Sequence, residues 1–368
     1  MRILYFSRDY CPHDHRILSA IIAGGHEAHY LRLEDSGRNL ESRLVPDGVQ
    51  VAQWRGGTKK SHWYDIPALV LSLKEVLIDV RPDLIHAGPI QSVGMVSALS
   101  GFHPLVSMSW GFDLMQDAGK NAYSRWFTRN VLSRSDWVFG DCQAVLNKAA
   151  EFGYNLARSS HFPWGVDLQH FSPTDGSSMR KKLGWTDETI LFCNRSWEPQ
   201  YGVDIVARAF VLAANVNPHL RLLLLGSGSQ GQQLETILKD GGVLDKVTFP
   251  GQIPNADLPD HYRAADLYIS ASHTDGSSVS LMEALACGVP AAVSDIPSNL
   301  EWIRPGEEGW TFADGSVQEL SALMLKLDQE KVNLAVMRIK ARRKAERNAD
   351  WVINQRKMLA GYEQAVKK

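Results

Sequence analysis

Cysteine is scarce in this sequence, and the cysteines that occur are far apart. The 368 residues include four, and no two of them have the short spacing typical of a disulfide framework or a zinc site. We therefore expect reduced, mostly buried thiols in a cytoplasmic protein. These residues are Cys11, Cys142, Cys193 and Cys287.

Long apolar runs and a strong net charge are missing as well. No run is long enough to cross a bilayer, and the chain opens on a strand pattern without the features of a signal peptide. The formal net charge of −2 gives no reason to expect a nucleic-acid partner. The basic stretch 338–347 has helical spacing, which is more typical of a solvated helix face than of a membrane patch, so peripheral membrane contact is not expected.

What the sequence does have is an alternation of short apolar runs with helix-length segments, typical of parallel strands joined by crossover helices. Helical patterns include 203–216, 257–265 and the last helix, around 351–366. The predicted strands are 3–7, 27–33, 84–87, 105–109 and 137–140 in the first half, and 190–193, 222–225, 247–249, 267–270 and 291–294 in the second.

The length of the chain suits two α/β domains, and a segment rich in turn-forming residues at 162–173 marks a boundary between them. We predict two Rossmann-like domains, 1–170 and 171–345, with 346–368 forming a helix that returns to the first domain. Ligands bind at the carboxyl ends of the strands in such sheets. The sequence therefore predicts a binding cleft between the two domains.

The segment 270–290 carries the most specific chemistry. It reads as a strand, a loop rich in glycine and serine, and a short helix, whose free amides suit a diphosphate. Asp275 and Glu283 have the spacing to accept hydrogen bonds from hydroxyls on two parts of one ligand. An alternative remains open, since Ser280-x-x-Glu283 is also a capping-box pattern and Asp275-Gly276 a common turn.

This segment resembles the acid-x7-Glu signature of the retaining glycosyltransferases of family 4, which have the GT-B fold. Three other segments resemble the family in the same order: 162–167 its linker, 247–266 its Val-x-Phe-x-Gly…Leu-Pro…Ala-Asp run, and 306–309 its Gly-x-x-Gly hairpin. The resemblance covers the C-terminal half and, more weakly, the N-terminal half. It implies carbohydrate biosynthesis: a hexosyl group would pass from a UDP- or GDP-sugar to an acceptor hydroxyl, on a carbohydrate or a lipid-linked acceptor.

The resemblance also implies roles for single residues. Glu283 would hold the donor ribose, Asp275 would contact hydroxyls of the donor sugar, and Arg195 would bind the diphosphate and stabilise the leaving group. The alternative for Arg195 is a salt bridge, for instance with Glu198. Gly276 and Ser277 would offer backbone amides to the sugar–phosphate region. The other residues implied on the donor side are Ser278, Val279, Tyr201, Gly251 and Ile253.

Three departures from the family pattern affect this donor site. Ser277 and Ser278 stand where the family has Phe and Gly, and Asp275 is shorter than the usual Glu. Tyr201 stands where a Lys usually binds the donor phosphates. Arg16 is then the candidate for a compensating cation, and a Lys at position 201 is expected to tighten binding of a nucleoside diphosphate.

The N-terminal half is expected to bind the acceptor. Its first loop carries His13 and His15, but a metal site lacks an evident third ligand, so hydrogen bonds to substrate are the preferred interpretation. Trp110 and Asp113 follow a predicted strand. Asp113 is interpreted as contacting sugar hydroxyls or activating the acceptor, and alternatively as a helix N-cap.

No Asp-x-Asp pair occurs in the sequence, although glycosyltransferases with a single Rossmann-like domain use one to bind a divalent metal. The sequence therefore predicts a metal-independent reaction without a cofactor. Two other functions remain open. A sugar-nucleotide 2-epimerase shares the two-domain plan, and a non-catalytic subunit would bind the nucleotide-sugar without turnover.

Overall fold

The structure is a computed structural model and describes residues 1–35, 37, 41, 43–327 and 331–367. The chain divides into two compact units: unit 1 is Met1–Pro163 with Val352–Lys368, and unit 2 is Trp164–Trp351. Unit 2 begins before residue 171 because the segment after Pro163 is tied to the end of its last long helix. There the amide of Val166 donates to the carbonyl of Ala349 at 2.7 Å.

Within the described residues, unit 1 has one sheet of seven parallel strands. The five strands predicted from the first half are confirmed to within two residues. The two short edge strands, Gln50–Val51 and Ser159–His161, were not predicted, because they lack a buried apolar run. The strands are β1 (Arg2–Ser7), β2 (Glu27–Arg32), β3 (Gln50–Val51), β4 (Leu84–Gly88), β5 (Leu105–Met108), β6 (Trp137–Gly140) and β7 (Ser159–His161).

Helices cover this sheet, and their ends follow the local chemistry of the sequence. The first begins with Pro12, and the Asp14 carboxylate accepts a hydrogen bond from the amide of Cys11 at 2.7 Å. Asn121 caps the fifth helix by accepting from the amide of Ser124. The helices are α1 (Pro12–Ala23), α2 (Ile66–Val80), α3 (Met95–Ser100), α4 (Phe112–Met115), α5 (Ala122–Arg134) and α6 (Gln143–Glu151).

Unit 2 has, in its described part, a sheet of six parallel strands. The predicted helix 203–216 is confirmed residue for residue. The strands are β8 (Thr189–Cys193), β9 (Leu220–Leu225), β10 (Val247–Gly251), β11 (Leu267–Ser270), β12 (Ala291–Ser294) and β13 (Gly309–Phe312). The helices are α7 (Ser177–Leu183), α8 (Val203–Val216), α9 (Gly231–Asp240), α10 (Leu258–Ala264), α11 (Val279–Ala286), α12 (Pro297–Leu300), α13 (Val317–Lys326) and α14 (Lys331–Asn348). The last helix, α15 (Trp351–Val366), belongs to unit 1 except for its first residue.

Both sheets reverse their strand order at one point. In unit 1 the order is β3-β2-β1-β4-β5-β6-β7, and in unit 2 it is β10-β9-β8-β11-β12-β13. The chain therefore winds outward in both directions from β1 and β4, and again from β8 and β11. The crevice at the carboxyl end of such a switch point is where doubly wound sheets bind ligands.

The basic stretch 338–347 lies in α14, and only part of it is a solvated face. Arg342 donates to the carbonyl oxygens of Phe171 and Ala286 at 2.8 and 2.7 Å. Arg338 donates to Asp266 at 3.2 Å. These two arginines therefore bind α14 to the rest of unit 2. No helix in the described ranges combines the length and the hydropathy that a bilayer crossing requires.

Helix α15 packs on the unit 1 sheet through a buried polar contact. The ring of His86 in β4 lies 2.7 Å from the Tyr362 hydroxyl and is fully buried. Burial lowers the pKa of His86 to about 3. The four cysteines are buried and free of disulfides, as expected from their spacing.

The burial of His86 predicts how the stability of the fold depends on pH. The folded state holds fewer protons on this ring than the unfolded state between its folded pKa of about 3 and its ordinary pKa of 6.5, so stability falls as pH falls through this window. When the pH is lowered from about 7.5 to about 5.5, the free energy of unfolding of the wild type should fall by about 1 kcal/mol more than that of His86→Phe. Urea denaturation at both pH values measures this, with the exposed His219→Phe as control. Equal losses in wild type and His86→Phe would contradict it.

Candidate active site

The predicted donor residues meet at the switch point of unit 2. Arg195 and Tyr201 lie in the loop after β8, and Asp275 and Ser278 lie in the loop between β11 and α11. Strands β8 and β11 are neighbours in the sheet, so these two loops leave it side by side. The parallel sheet thus brings together residues about eighty positions apart in the sequence.

Arg195 is the centre of this cluster. Its Nη2 donates to Asp275 Oδ2 at 2.6 Å, and its Nη1 donates to the hydroxyls of Ser278 and Ser280 at 2.8 and 3.0 Å. The side chains of Arg195 and Asp275 are only 11% and 18% exposed. Arg195 thus forms a salt bridge, as the alternative interpretation expected, and its partner is Asp275. The Glu198 carboxylate accepts from the amide and hydroxyl of Ser229.

The electrostatics of the Arg195–Asp275 pair follow from its burial. Burial raises the pKa of Asp275, and the nearby Arg195 opposes that rise. Burial works to lower the pKa of Arg195, but the Asp275 carboxylate together with Tyr201, Tyr268 and Cys193 outweighs it, so the pKa is raised and the guanidinium stays charged. Removing one partner of such an ion pair strongly destabilises the folded protein, because the other partner is left as an unpaired buried charge.

Tyr201 has a specific contact of its own. The Cζ atom of Arg195 lies 4.2 Å from the centre of the Tyr201 ring, which is the geometry of a cation–π interaction. Gly202 follows with a φ of 57°, and a Cβ there would collide with the carbonyl oxygen of Ala271 in the neighbouring loop. The close approach of the two loops therefore requires glycine, and it holds the ring under the guanidinium.

Glu283 belongs to a second, buried network. Its Oε2 accepts from the Tyr262 hydroxyl at 2.8 Å, and Nδ2 of Asn194 donates to the same hydroxyl at 2.8 Å. Glu283 is 5% exposed. Tyr262 and Asn194 were not predicted as site residues, although Asn194 directly precedes Arg195 and Tyr262 lies in the predicted helix 257–265.

The capping-box interpretation of Ser280 and Glu283 is wrong. Helix α11 begins at Val279, and its N-cap is Ser278, whose hydroxyl accepts from the amide of Leu281 at 3.4 Å. The hydroxyl of Ser280 accepts from Arg195. Ser278, where the family has glycine, therefore caps the helix and contacts Arg195 with one side chain.

The remaining predicted donor residues line the same edge of the sheet. The amide of Gly276 donates to the Asp275 carboxylate at 3.0 Å, and the hydroxyl of Ser277 accepts from Nε1 of Trp302 at 3.2 Å. Val279, half-buried, is the first residue of α11. Gly251 and Ile253, also half-buried, stand at the end of β10, two strands away from β8.

In unit 1, the structure brings two of the predicted acceptor-side residues together. The rings of His13 and Trp110 lie edge to face, with centres 5.8 Å apart. Burial, and then the charge of Arg16, lower the pKa of His13 to about 3, so its ring is neutral near pH 7. Arg16 lies in the second turn of α1. In the part of the chain that is described, no three or more His, Cys, Asp or Glu side chains form a metal-ligand group.

Asp113 holds its own loop together. It is 1% exposed, and its Oδ1 accepts from the Ser109 hydroxyl and from the amides of Trp110 and Leu114 at 2.5 to 3.0 Å. Its Oδ2 accepts from the amide of Ile90 at 2.9 Å. Burial raises the pKa of Asp113 against these hydrogen bonds. Helix α4 has Gly111 at its N-cap, so the N-cap interpretation of Asp113 is wrong. The contacts of Asp113 favour a role in positioning Trp110, and its contact with sugar hydroxyls stays a prediction.

Two family models together match most of the chain. The model described as Glycosyl transferases group 1 matches residues 176–349, and the model described as Glycosyltransferase Family 4 matches residues 15–170. The chain belongs to the family 4 glycosyltransferases. The recognition of the family from the acid-x7-Glu segment is thus confirmed.

Two curated relatives of this glycosyltransferase chain are each 30% identical to it over about half of its length. A GDP-mannose-dependent monoacylated alpha-(1-6)-phosphatidylinositol monomannoside mannosyltransferase of Corynebacterium glutamicum is 30% identical over 204 residues, 52% of the chain and 53% of the relative. A D-inositol 3-phosphate glycosyltransferase of Acidothermus cellulolyticus is 30% identical over 199 residues, 49% of the chain and 44% of the relative. The chain thus spans about half the length of the curated relatives it matches.

A solved structure supports the fold. The crystal structure of Anabaena Alr3699/HepE in complex with UDP-glucose superposes with a TM-score of 0.82 at 19% identity, covering 99% of both chains. The prediction of two Rossmann-like domains in the GT-B architecture is confirmed by this similarity and by the two parallel sheets.

Proposed function

We propose that the chain is a retaining glycosyltransferase that moves a hexosyl group from a UDP- or GDP-sugar to an acceptor hydroxyl, without a metal ion. The observation that carries this proposal is the cluster of Arg195, Asp275 and Tyr201 at the switch point of unit 2, beside the buried Glu283. A guanidinium and two carboxylates at this position suit the diphosphate, the sugar and the ribose of one donor molecule.

In this proposal, Arg195 binds the diphosphate and stabilises the charge that develops on the leaving nucleoside diphosphate. Its Nε is buried and has no hydrogen-bond partner among the described residues. An unsatisfied buried donor is costly, and a phosphate oxygen would satisfy it while Nη2 keeps its bond to Asp275. Binding the donor would therefore add to the ion pair rather than replace it.

The reaction follows the course that the family resemblance implies. The leaving group departs and the acceptor attacks on the same face of the sugar, with a donor phosphate oxygen as the base. Asp275 would orient the sugar hydroxyls, Glu283 would hold the ribose, and unit 1 would bind a carbohydrate or lipid-linked acceptor. No side chain of the protein is required as a nucleophile.

The names of the relatives support a nucleotide-sugar donor and leave its base open. The Corynebacterium relative is named for GDP-mannose, whereas the Anabaena structure contains UDP-glucose. A thermal-shift panel of UDP, GDP, ADP and dTDP tests this choice, since a ligand stabilises the folded protein by about RT ln(1 + [L]/Kd). We expect UDP or GDP to raise the melting temperature most, with the same shift in EDTA.

Turnover assays then separate the other two functions. An epimerase would change the nucleotide-sugar without an acceptor, and a non-catalytic subunit would bind it without turnover. Transfer to an acceptor hydroxyl with retained anomeric configuration supports the proposal. Failure of all four nucleotides to stabilise the chain, or inverted product, would overturn it.

Position 201 gives a further prediction for this site. Tyr201→Lys would place an ammonium beside the Arg195 guanidinium, so the free protein should lose about 1 kcal/mol of stability. A bound diphosphate would neutralise both cations, so its affinity should rise about threefold or more. Calorimetry with UDP and GDP measures the affinity, with Tyr201→Phe as the control that keeps the ring. Weaker binding by Tyr201→Lys would show that the ring itself presents Arg195 to the ligand.

A further inference from the structure

A cavity of about 280 Å³ opens at the carboxyl edge of the unit 1 sheet. The segments that directly follow β1, β2, β4 and β5 contribute Arg8, Glu34, Gln91 and Phe112 to its wall. These four strands are neighbours and include the switch point between β1 and β4. A doubly wound sheet binds small molecules at this edge, so the cavity stands where unit 1 is expected to hold a ligand.

The floor of the cavity is apolar and fixed. Leu33, Leu69, Val96 and Phe127 line it, and all four belong to the buried core of unit 1. The volume of about 280 Å³ lies just below the range of about 300–1,000 Å³ typical of small-molecule sites. Such a volume suits one sugar ring better than an extended lipid chain.

Two aromatic side chains line the cavity and remain exposed to solvent. Trp63 is 73% exposed and Tyr123 is 56% exposed. Each has aromatic support, because Tyr64 packs against Trp63 with ring centres 5.9 Å apart and Phe127 packs against Tyr123 at 4.2 Å. The electron-rich face of an aromatic ring attracts the polarised C–H groups on the flat face of a sugar, so these rings offer stacking surfaces for a pyranose.

Polar groups in the wall can meet the hydroxyls of the same ring. Glu34 is 5% exposed; its Oε1 accepts from Arg8 Nε at 2.6 Å, and its Oε2 accepts from the amide and hydroxyl of Ser61, both at 3.1 Å. A carboxylate has about four acceptor positions, so one remains for a ligand. The Ser92 hydroxyl is buried and has no partner among the described residues.

The charge of the wall indicates an uncharged ligand. Among the lining residues as described, Arg8 is the only Arg or Lys, and it is paired with Glu34. Burial works to raise the pKa of Glu34, but the Ser61 amide and Arg8 outweigh it and lower the pKa, so the carboxylate is charged. Asp113 and Asp117 also line the cavity. A phosphate group would therefore meet more negative than positive charge.

We propose that this cavity is the acceptor site and binds an uncharged pyranose ring. Trp63 and Tyr123 stack on the C–H faces of the ring. The Glu34 carboxylate accepts hydrogen bonds from its hydroxyls, and the Ser92 hydroxyl donates to them or accepts from them. The inference rests on the proposed function, because only a transferase has an acceptor. It narrows the acceptor to a carbohydrate end that carries no phosphate on the bound ring.

Saturation-transfer NMR tests this site without any turnover. The probes are the methyl glycosides of mannose, glucose and galactose, with mannose 6-phosphate and glucose 6-phosphate as charged counterparts, each alone and with saturating UDP or GDP. We expect at least one methyl glycoside to bind, and Trp63→Ala to weaken that binding roughly tenfold or more. Trp126→Ala is the matched control, since Trp126 is 55% exposed on the same unit but does not line the cavity. It should leave the affinity unchanged, and both variants should keep the melting temperature of the wild type.

Three results would overturn the proposal. The first is that no methyl glycoside binds, either alone or with nucleotide. The second is that Trp63→Ala and Trp126→Ala have the same effect. The third is that a sugar phosphate binds more tightly than its methyl glycoside. The proposal for the donor is tested separately: it fails if none of the nucleotides in the thermal-shift panel stabilises the protein. The two proposals are therefore overturned by different measurements.

Discussion

Replacing Arg195 with alanine should lower the rate of sugar transfer roughly a hundredfold or more, while the affinity for a nucleoside monophosphate changes less than about threefold. In the proposed function the guanidinium binds the diphosphate, whose charge grows as the glycosidic bond breaks, so its loss would affect the transition state more than the bound nucleoside. Single-turnover kinetics with the cognate nucleotide-sugar, together with calorimetry on the matching mono- and diphosphates, separates these effects.

Two further variants control for the loss of an ion pair. Arg180→Ala also removes a 2.6 Å pair in unit 2, between Arg180 and Asp266, but at the opposite edge of the sheet, just before β11. It should leave turnover nearly unchanged. Arg195→Lys keeps a charge beside Asp275 but not the planar fork, so it should restore transfer only in part. Equal losses of mono- and diphosphate affinity in Arg195→Ala would show that Arg195 only supports the loop.

Much of the fold could be predicted from the sequence, because parallel strands buried on both faces are short continuous apolar runs. Strand β9, for example, has the sequence Leu-Arg-Leu-Leu-Leu-Leu. The edge strands β3 and β7 have no such run, since Gln50 and Val51 are exposed. Strand β13 begins at Gly309, which the family resemblance indicated only as part of a hairpin.

The sequence predicted which residues form the candidate site, but it did not predict the contacts between them. The acid-x7-Glu segment and Arg195 are visible in the sequence as separate motifs, yet nothing in their spacing shows that Arg195 pairs with Asp275. That pairing depends on β8 and β11 being adjacent in the sheet. Trp63 was missed for a different reason: it follows no predicted strand, and its exposure at a cavity is a property of the folded chain.

The second large effect concerns the ribose. Glu283→Gln keeps the size of the side chain, and the Tyr262 hydroxyl can still donate to its amide oxygen, so the fold should remain intact. The variant removes the negative charge that, in the proposed function, accepts hydrogen bonds from the ribose hydroxyls, and hydrogen bonds to charged groups contribute about 1.5–3 kcal/mol. The affinity for the cognate nucleoside diphosphate should therefore fall about tenfold at least, and about a hundredfold at the upper end.

The matched control for this variant is Glu308→Gln, because Glu308 is also buried in unit 2, at 7% exposure, and its carboxylate accepts from the amide of Arg304 at 3.0 Å. It lies outside the donor site, so it should leave nucleotide affinity unchanged. Calorimetry on both variants, with their melting temperatures, distinguishes a ribose ligand from a buried structural acid. If Glu283→Gln lowers the melting temperature but binds the nucleoside diphosphate as tightly as the wild type, Glu283 serves only the network with Tyr262 and Asn194, and another residue must hold the ribose.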